Sequence, residues 1–281
     1  MEVVRTKKAL AAALAPALKN NQSIGLVPTM GALHAGHLSL VSKALSENDK
    51  VVVSIFVNPT QFNNAADLAA YPAGLTADAA LLKNLSESIL IFAPTAQEMY
   101  PEGLESKVFD FKGLDMYWEG ADRPGHFNGV GTVVEKLFRA VPAQKAYFGE
   151  KDFQQLAIIR QLVLDLDWPI EIIGCPIVRE VNGLAMSSRN ERLSETTREQ
   201  AAVIYQTLLR CKKDLEHHEI TSLKNAALEK LSSCPGLKVH YFEFVHAHNL
   251  KPILSKATSD PIRLLIAVSL GGVRLIDNIA I

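Results

Sequence analysis

Cysteine is scarce in this sequence. Cys175, Cys211 and Cys234 are the only three in 281 residues, and no two of them form a C-x-x-C pair. An odd, scattered set excludes a disulfide framework and a cysteine-based zinc site, and it fits a reducing compartment. A cytoplasmic location is therefore expected. Long apolar runs are lacking too, and nothing approaches the roughly 20 residues needed to span a bilayer. The opening stretch MEVVRTKKALAAALAPALKN is broken by Pro16 and Lys19. It reads as an amphipathic helix, not as a signal peptide. An excess of either charge is missing: 29 Lys+Arg against 30 Asp+Glu leave a formal net charge of −1. That balance gives no pull toward nucleic acid or a membrane surface. There is no fixed-period repeat and no low-complexity tract.

What is present is an ordinary globular composition, 48% hydrophobic and 21% charged. At this length it predicts one large or two modest domains with a sizeable core. Dividing the chain at residue 177 gives 15 Lys+Arg against 19 Asp+Glu before the cut and 14 against 11 after it, hence −4 and +3. The basic second part suits an anionic ligand.

The first part alternates strand-like and helix-like segments. Strands are expected at Ile24 to Val27, Val51 to Val57, Ile89 to Phe92 and Lys145 to Phe148. Helices are expected around Leu38, Val41, Ala44 and Leu45, then over Ala77 to Leu85, Val130 to Phe138 and Phe153 to Leu164. Near-continuous apolar runs such as VVVSIFV suit strands covered on both faces, and the alternation implies a parallel sheet. After Pro176 the character changes. One long helix is expected over Glu195 to Glu216 and a second over Leu223 to Leu231. Strands follow at Val239 to Val245, Ile262 to Ser269 and Val273 to Ile279, with Gly271-Gly272 as a hairpin signal. The expected fold is α/β: a Rossmann-like parallel sheet with flanking helices over residues 1–177, plus a smaller α+β domain over residues 178–281.

Four segments carry chemistry. VPTMGALHAGH (27–37) leaves a strand and opens a helix, the place where open α/β sheets bind ligands. His34 and His37 sit three apart on the first turn, where free N–H groups and the helix dipole favour phosphate. Gly36 would let a flat ring lie against the backbone. Two surface histidines, or part of a metal site, are the competing readings, although no third ligand lies nearby in sequence. VNPTQF (57–62) follows the next strand, and Gln61 offers an uncharged donor and acceptor. FGEKDFQQ (148–155) presents Lys151 as a mobile cation and Asp152 as an acceptor or a helix cap. VREVNGLAMSSRN (178–190) combines hydroxyls of Ser187 and Ser188 with the guanidinium of Arg189 at the expected domain boundary. A capping serine pair beside a surface arginine is the plainer alternative there. A fifth segment, RPGHFNGV (123–130), reads as lining the mouth of a cleft through Arg123 and His126. Val130, Val133 and Val134 would make an apolar wall. His126 is as readily a structural loop residue.

The H-x-G-H string resembles the signature of class I nucleotidyltransferases, and P-T-M-G-x-L-H-x-G-H resembles the pantothenate synthetase family within them. The strings N-P-x-Q-F, G-E-K-D-x-Q-Q and M-S-S-R, the last a variant of the K-M-S-K-S type, are similar to that family's further motifs. The resemblance implies a ligase that adenylates (R)-pantoate with ATP and passes the acyl group to β-alanine, with Mg²⁺ as cofactor. It implies ATP contacts from Met30, Gly31, Ala32, Leu33, His34, Ala35, Gly36 and His37. Further ATP contacts would come from Gly149, Glu150, Lys151 and Asp152, and from Val178, Met186, Ser187, Ser188 and Arg189. By the same resemblance His34, His37, Lys151 and Arg189 are catalytic, Gln61 and Gln155 bind pantoate, Gln61 also serves β-alanine, and Asp78 holds magnesium. A homodimer is implied, with no nucleic-acid or membrane partner.

The segment DLAAYPAGLTAD (67–78) departs from the family's E-D-L-x-x-Y-P-R-T. Ala66 replaces the acid and Ala73-Gly74 replace Arg-Thr, which bears on affinity and dimer contacts. Rival readings are an adenylyltransferase acting on a phosphate ester and a silent nucleotide-binding module. A tRNA synthetase fits poorly with a near-neutral charge and a short tail.

Overall fold

The computed structural model describes residues 1–72, 74–255 and 260–281. Ala73, one of the family departures, lies outside them. The chain forms two compact units, one of residues 1–150 and 155–176, the other of residues 151–154 and 177–281.

The first unit begins with β1 (Glu2–Val4), α1 (Lys7–Lys19), β2 (Ile24–Thr29), α2 (Ala35–Glu47) and β3 (Lys50–Ile55). It continues through α3 (Ala65–Ala69), α4 (Leu75–Leu85), β4 (Leu90–Phe92), α5 (Ala96–Met99), α6 (Trp118–Asp122) and α7 (His126–Ala140). β5 (Lys145–Gly149), α8 (Phe153–Asp165) and β6 (Glu171–Cys175) complete it, with the first two residues of α8 counting with the second unit. The strands form one sheet in the order β1-β4-β3-β2-β5-β6, every pair parallel. Helical crossovers between strands make this pairing possible. Val27, Val51, Val53 and Ile91 pack with Leu40, Val41 and Ala44 of α2 and Leu82 of α4 in one core layer. Leu26 and Val52, of the opposite parity, are fully buried as well. That double coverage is why these strands read as continuous apolar runs.

The strand order has a functional consequence. From β2 the chain moves outward through β3 and β4, then resumes at β5 on the other flank of β2. Beyond the carboxyl ends of β2 and β5 the connections therefore diverge and leave a crevice. The sequence reading missed β1 and β6. β1 has only three residues, too few to show a period, and the Ile172-Ile173 pair of β6 lies between two prolines.

In the second unit α9 (Glu195–Gln200), α10 (Ala202–Asp214) and α11 (Ile220–Ser232) precede β7 (Lys238–His246), β8 (Ile262–Leu270) and β9 (Val273–Ala280). The strands form an antiparallel sheet in chain order. Leu208 of α10, Leu231 of α11, Phe244 of β7 and Leu264 of β8 are fully buried in its core. Gly271 and Gly272 join β8 to β9 with φ of 57° and 74°, the two positive values that a tight hairpin turn demands. The single long helix expected over Glu195 to Glu216 is two helices. Ala201, fully buried between them, has ψ of −15°, away from the helical value.

Glu47 closes α2 against β5. It accepts from Lys43 Nζ at 2.7 Å, Tyr147 Oη at 2.9 Å and Lys145 Nζ at 3.4 Å. The Lys43 hydrogen bond, followed by that of Tyr147, holds its carboxyl down to about 2 from an ordinary 4.5. A depressed acid stabilises the fold above its ordinary value and loses that contribution as pH falls through its folded one. Denaturation midpoints of the wild type and Glu47→Gln should therefore converge between pH 4.5 and about 2. A gap that stays constant across this window would remove the carboxylate from the account.

Candidate active site

The turn from β2 into α2 must find partners for several backbone N–H groups at once. Gly31 and Ala32 take φ of 83° and 50°, so the chain bends sharply after Met30. A Cβ on Gly31 would lie 2.9 Å from Asp78 Oδ2, so position 31 admits only glycine. Asp78, on α4 and only 3% exposed, accepts from the N–H of Ala32 through Oδ2 at 3.0 Å and of Leu33 through Oδ1 at 2.7 Å. Thr29 Oγ1 accepts from the Gly31 N–H at 3.2 Å and donates to the Ser54 carbonyl at 2.7 Å. The turn is thus tied to α4 and to β3.

The histidines supply the next two partners. His34 caps α2, and its Nδ1 accepts from the Gly36 N–H at 3.1 Å. His37 Nδ1 accepts from the His34 N–H at 3.3 Å, and the two rings lie 4.1 Å apart. A nitrogen that accepts a hydrogen bond carries no proton, so in each neutral ring the proton is on Nε2. Both imidazoles are fixed as Nε2–H donors beside the positive end of a helix, with Ala35 and Gly36 forming its first turn. The expected pairing of these histidines is present, and its cause is reciprocal capping.

Gln61 ends a 3-10 turn, Pro59–Gln61, after β3. Its Nε2 donates to Met30 Sδ at 3.0 Å, and its Oε1 accepts from Asn58 Nδ2 at 3.1 Å. Asn58, 1% exposed, also donates to the Gly129 carbonyl and accepts from Tyr100 Oη at 2.7 Å. The Gln61 carbonyl accepts from His126 Nδ1 at 2.8 Å and Arg123 NH2 at 3.4 Å. Arg123 NH1 lies 3.1 Å from His126 Nε2. A carbonyl only accepts and a guanidinium only donates, so His126 is an Nδ1–H tautomer, the reverse of His34 and His37. His126 is 6% exposed. Together with Arg123 it holds the backbone that carries Gln61. Val130, Val133 and Val134 are buried along α7.

Both oxygens of Asp78 serve the turn, and no cluster of three or more His, Cys, Asp or Glu suited to a metal occurs among the described residues. A magnesium ion that arrives with a nucleotide needs only one or two carboxylates besides the phosphates, so the expected role of Asp78 is compatible with its hold on the turn. Gly149 ends β5, Glu150 follows it, and half-buried Gln155 lies in the first turn of α8; these three belong to the first unit, with Met30 to His37 and Gln61.

The second unit holds the remaining candidates. Lys151 Nζ lies 3.6 Å from Asp152 Oδ2, with the lysine side chain 20% exposed. Val178 and Met186 close a small hairpin: the Met186 N–H donates to the Val178 carbonyl at 3.0 Å, and Arg179 pairs with Ala185. Ser187 Oγ accepts from the Arg189 N–H at 3.2 Å, which is the capping role that competes with phosphate binding, and Ser188 is 6% exposed. Asn182-Gly183, at the hairpin tip, was a legible signal that went unread. Asn58, Tyr100 and Arg179 were also missed as supports, since their partners lie far along the chain.

A family model described as Pantoate-beta-alanine ligase matches residues 2–280. The pantothenate synthetase of Christiangramia forsetii is 48% identical over 281 residues, covering 100% of this chain and 99% of that protein. That of Bacteroides thetaiotaomicron is 50% identical over 279 residues, covering 99% and 98%. Among solved structures, pantothenate synthetase from Thermus thermophilus is similar with a TM-score of 0.92 at 44% identity, covering 99% of each chain. Pantoate-beta-alanine ligase from Francisella tularensis, complexed with beta-gamma ATP and β-alanine, has a TM-score of 0.79 at 39% identity and covers 100% of this chain and 97% of its own.

Two measurements check this geometry. A Cβ at Gly129 would stand 2.3 Å from the Thr60 carbonyl. Gly129→Ala should therefore push α7 off the Gln61 turn and destabilise the protein by about 1–3 kcal/mol; an unchanged denaturation midpoint would rule out the close approach. Long-range ¹H–¹⁵N spectra should find Nε2–H tautomers at His34 and His37 and an Nδ1–H tautomer at His126. One common tautomer for all three would contradict the hydrogen-bond pattern.

Proposed function

We infer that this chain, which belongs to the pantoate–β-alanine ligase family, is an enzyme that joins pantoate to β-alanine with ATP, a step toward coenzyme A. The observation that carries the reading is the link between Gln61 and Met30, four residues before His34. It joins the proposed acid-binding glutamine to the turn that displays two imidazole donors at a helix N-terminus.

The reaction proceeds in two steps. A pantoate carboxylate oxygen attacks the α-phosphorus of ATP, an O–P bond forms, and pyrophosphate leaves with the electrons of the broken P–O bond. The β-alanine amine then attacks the acyl carbon of pantoyl adenylate, and AMP leaves, giving pantothenate. The adenylate is needed because a free carboxylate has no good leaving group. Gln61 and Gln155 hold pantoate through uncharged donors and acceptors, and Gln61 also serves β-alanine. Val130, Val133 and Val134 form the apolar wall for the pantoate methyls.

His34 and His37 donate Nε2–H to phosphate oxygens as charge builds in the transition state, and Lys151 and Arg189 add positive charge. The other ATP contacts are Met30 to Gly36 at the turn, Gly149 at the end of β5 with Glu150 and Asp152 after it, and Val178, Met186, Ser187 and Ser188 along and just past the second unit's hairpin. Magnesium enters with the substrate as Mg-ATP, and Asp78, which also holds the turn, would supply a carboxylate to it. The enzyme works in the cytoplasm as a homodimer, with residues 1–177 and 178–281 as its functional halves and with no nucleic-acid or membrane partner.

The test omits β-alanine. ATP, magnesium and pantoate should yield an enzyme-bound acyl adenylate and pyrophosphate, with no release when pantoate is withheld. His37→Ala and Lys151→Ala should each lower turnover about 100- to 1,000-fold, with little change in thermal stability. Wild-type rates in both variants would overturn the residue assignment.

A further inference from the structure

β9 reads VRLIDNIA, and Asp277 and Asn278 are two adjacent polar residues in it that are only 4% and 2% exposed. Burying an acid and an amide side by side is costly unless their polar atoms find partners. Neighbouring strand residues point to opposite faces, and here each face leads to a different phosphate-binding candidate.

On one face Asp277 holds Arg179 in a two-pronged pair, accepting from NH1 at 2.6 Å and NH2 at 2.9 Å, and its Oδ1 also accepts from the Asn278 N–H at 2.7 Å. Arg179 opens the hairpin that leads into Ser187–Arg189. Its NH1 donates to the Gly183 carbonyl at 3.1 Å, and its guanidinium lies 3.6 Å from the Tyr205 ring centroid. The hairpin is thereby fastened to β9 by a planar fork with little freedom. On the other face Asn278 Nδ2 donates to the Lys151 carbonyl at 2.9 Å. Asn278 Oδ1 accepts from Arg263 Nε at 2.8 Å, and Arg263 itself lies over the Phe153 ring at 4.1 Å. The short stretch that carries Lys151 is so clamped onto β8 and β9.

We propose that Asp277 and Asn278 are positioning residues for adenylation: Asn278 sets Lys151 by holding its carbonyl, and Asp277 sets the Ser187–Arg189 segment by holding Arg179. The proposal rests on Lys151 and Arg189 acting on the phosphates. A lysine side chain is long and flexible, so the placement of its ammonium depends on a fixed backbone origin. Misplacing a reacting group by about 1 Å costs on the order of 100-fold in rate.

The experiment follows pantoate-dependent ATP–pyrophosphate exchange in the full chain, with melting curves alongside. Asn278→Ala should lower kcat roughly 10- to 100-fold and leave KM for pantoate within about twofold. The deciding readout is a double-mutant cycle. If Asn278 acts through Lys151, then adding Asn278→Ala to Lys151→Ala costs nothing further, whereas a general structural defect would multiply the two losses. Asn278→Asp guards against misfolding: it keeps the volume and the acceptor for Arg263 but lacks the donor for Lys151, and it should reproduce the kcat loss. Asp277→Asn should likewise lower kcat and add nothing to Arg189→Ala. Multiplicative losses, or full exchange in Asn278→Ala while Lys151→Ala is impaired, overturn this proposal alone. Full exchange in Lys151→Ala overturns the Lys151 assignment and this proposal with it.

Discussion

A parallel strand that bends directly into a helix exposes more backbone N–H groups than the turn can satisfy by itself. The chemistry of this protein grows from the way that deficit is met. Asp78 takes two of the donors, Thr29 takes a third, and the Nδ1 atoms of His34 and His37 take two more. The last pair matters most, because spending Nδ1 on the backbone decides where each imidazole keeps its proton. Two rings that serve as helix caps thereby also present Nε2–H as a fixed donor. Structural need and catalytic use coincide in the same atoms.

Gln61 shows the same economy at the next loop. Neither its position nor its side-chain orientation follows from the turn alone. Asn58 fixes the amide, while Arg123 and His126 fix the carbonyl behind it. Gly129 lets α7 come close enough for these contacts to form. A charged arginine polarises the imidazole that in turn donates to the carbonyl, a short chain of the kind that strengthens each of its bonds.

Much of this was legible in the sequence where the signal is local. The strand–turn–helix at Val27 to His37 announces itself because an apolar run, a glycine and two histidines at helical spacing all lie within a few residues. The parallel sheet was legible in runs such as VVVSIFV, since only doubly covered strands can be apolar throughout. The supports were not legible. Asn278 meets the Lys151 carbonyl across 127 positions, and Asn58 meets the Gly129 carbonyl across 71; no periodicity reports such pairs. The family resemblance assigns magnesium to Asp78. Its partners in the turn are main-chain groups, which have no letter in a sequence. The break at Ala201 escaped for a related reason, since alanine is an excellent helix former and its own letter carries no stop signal.

The second unit is made from two pieces of chain, with residues 151–154 enclosed in sequence by the first unit. A fragment that starts at residue 178 would carry β9 intact and yet leave the Asn278 amide and the Arg263 guanidinium without the backbone and ring they grip. Neither half can therefore be inherited, transplanted or expressed as a simple length of gene. A recombination event at the obvious boundary would sever the smaller fold from its residues 151–154, one of them the lysine assigned to the phosphates.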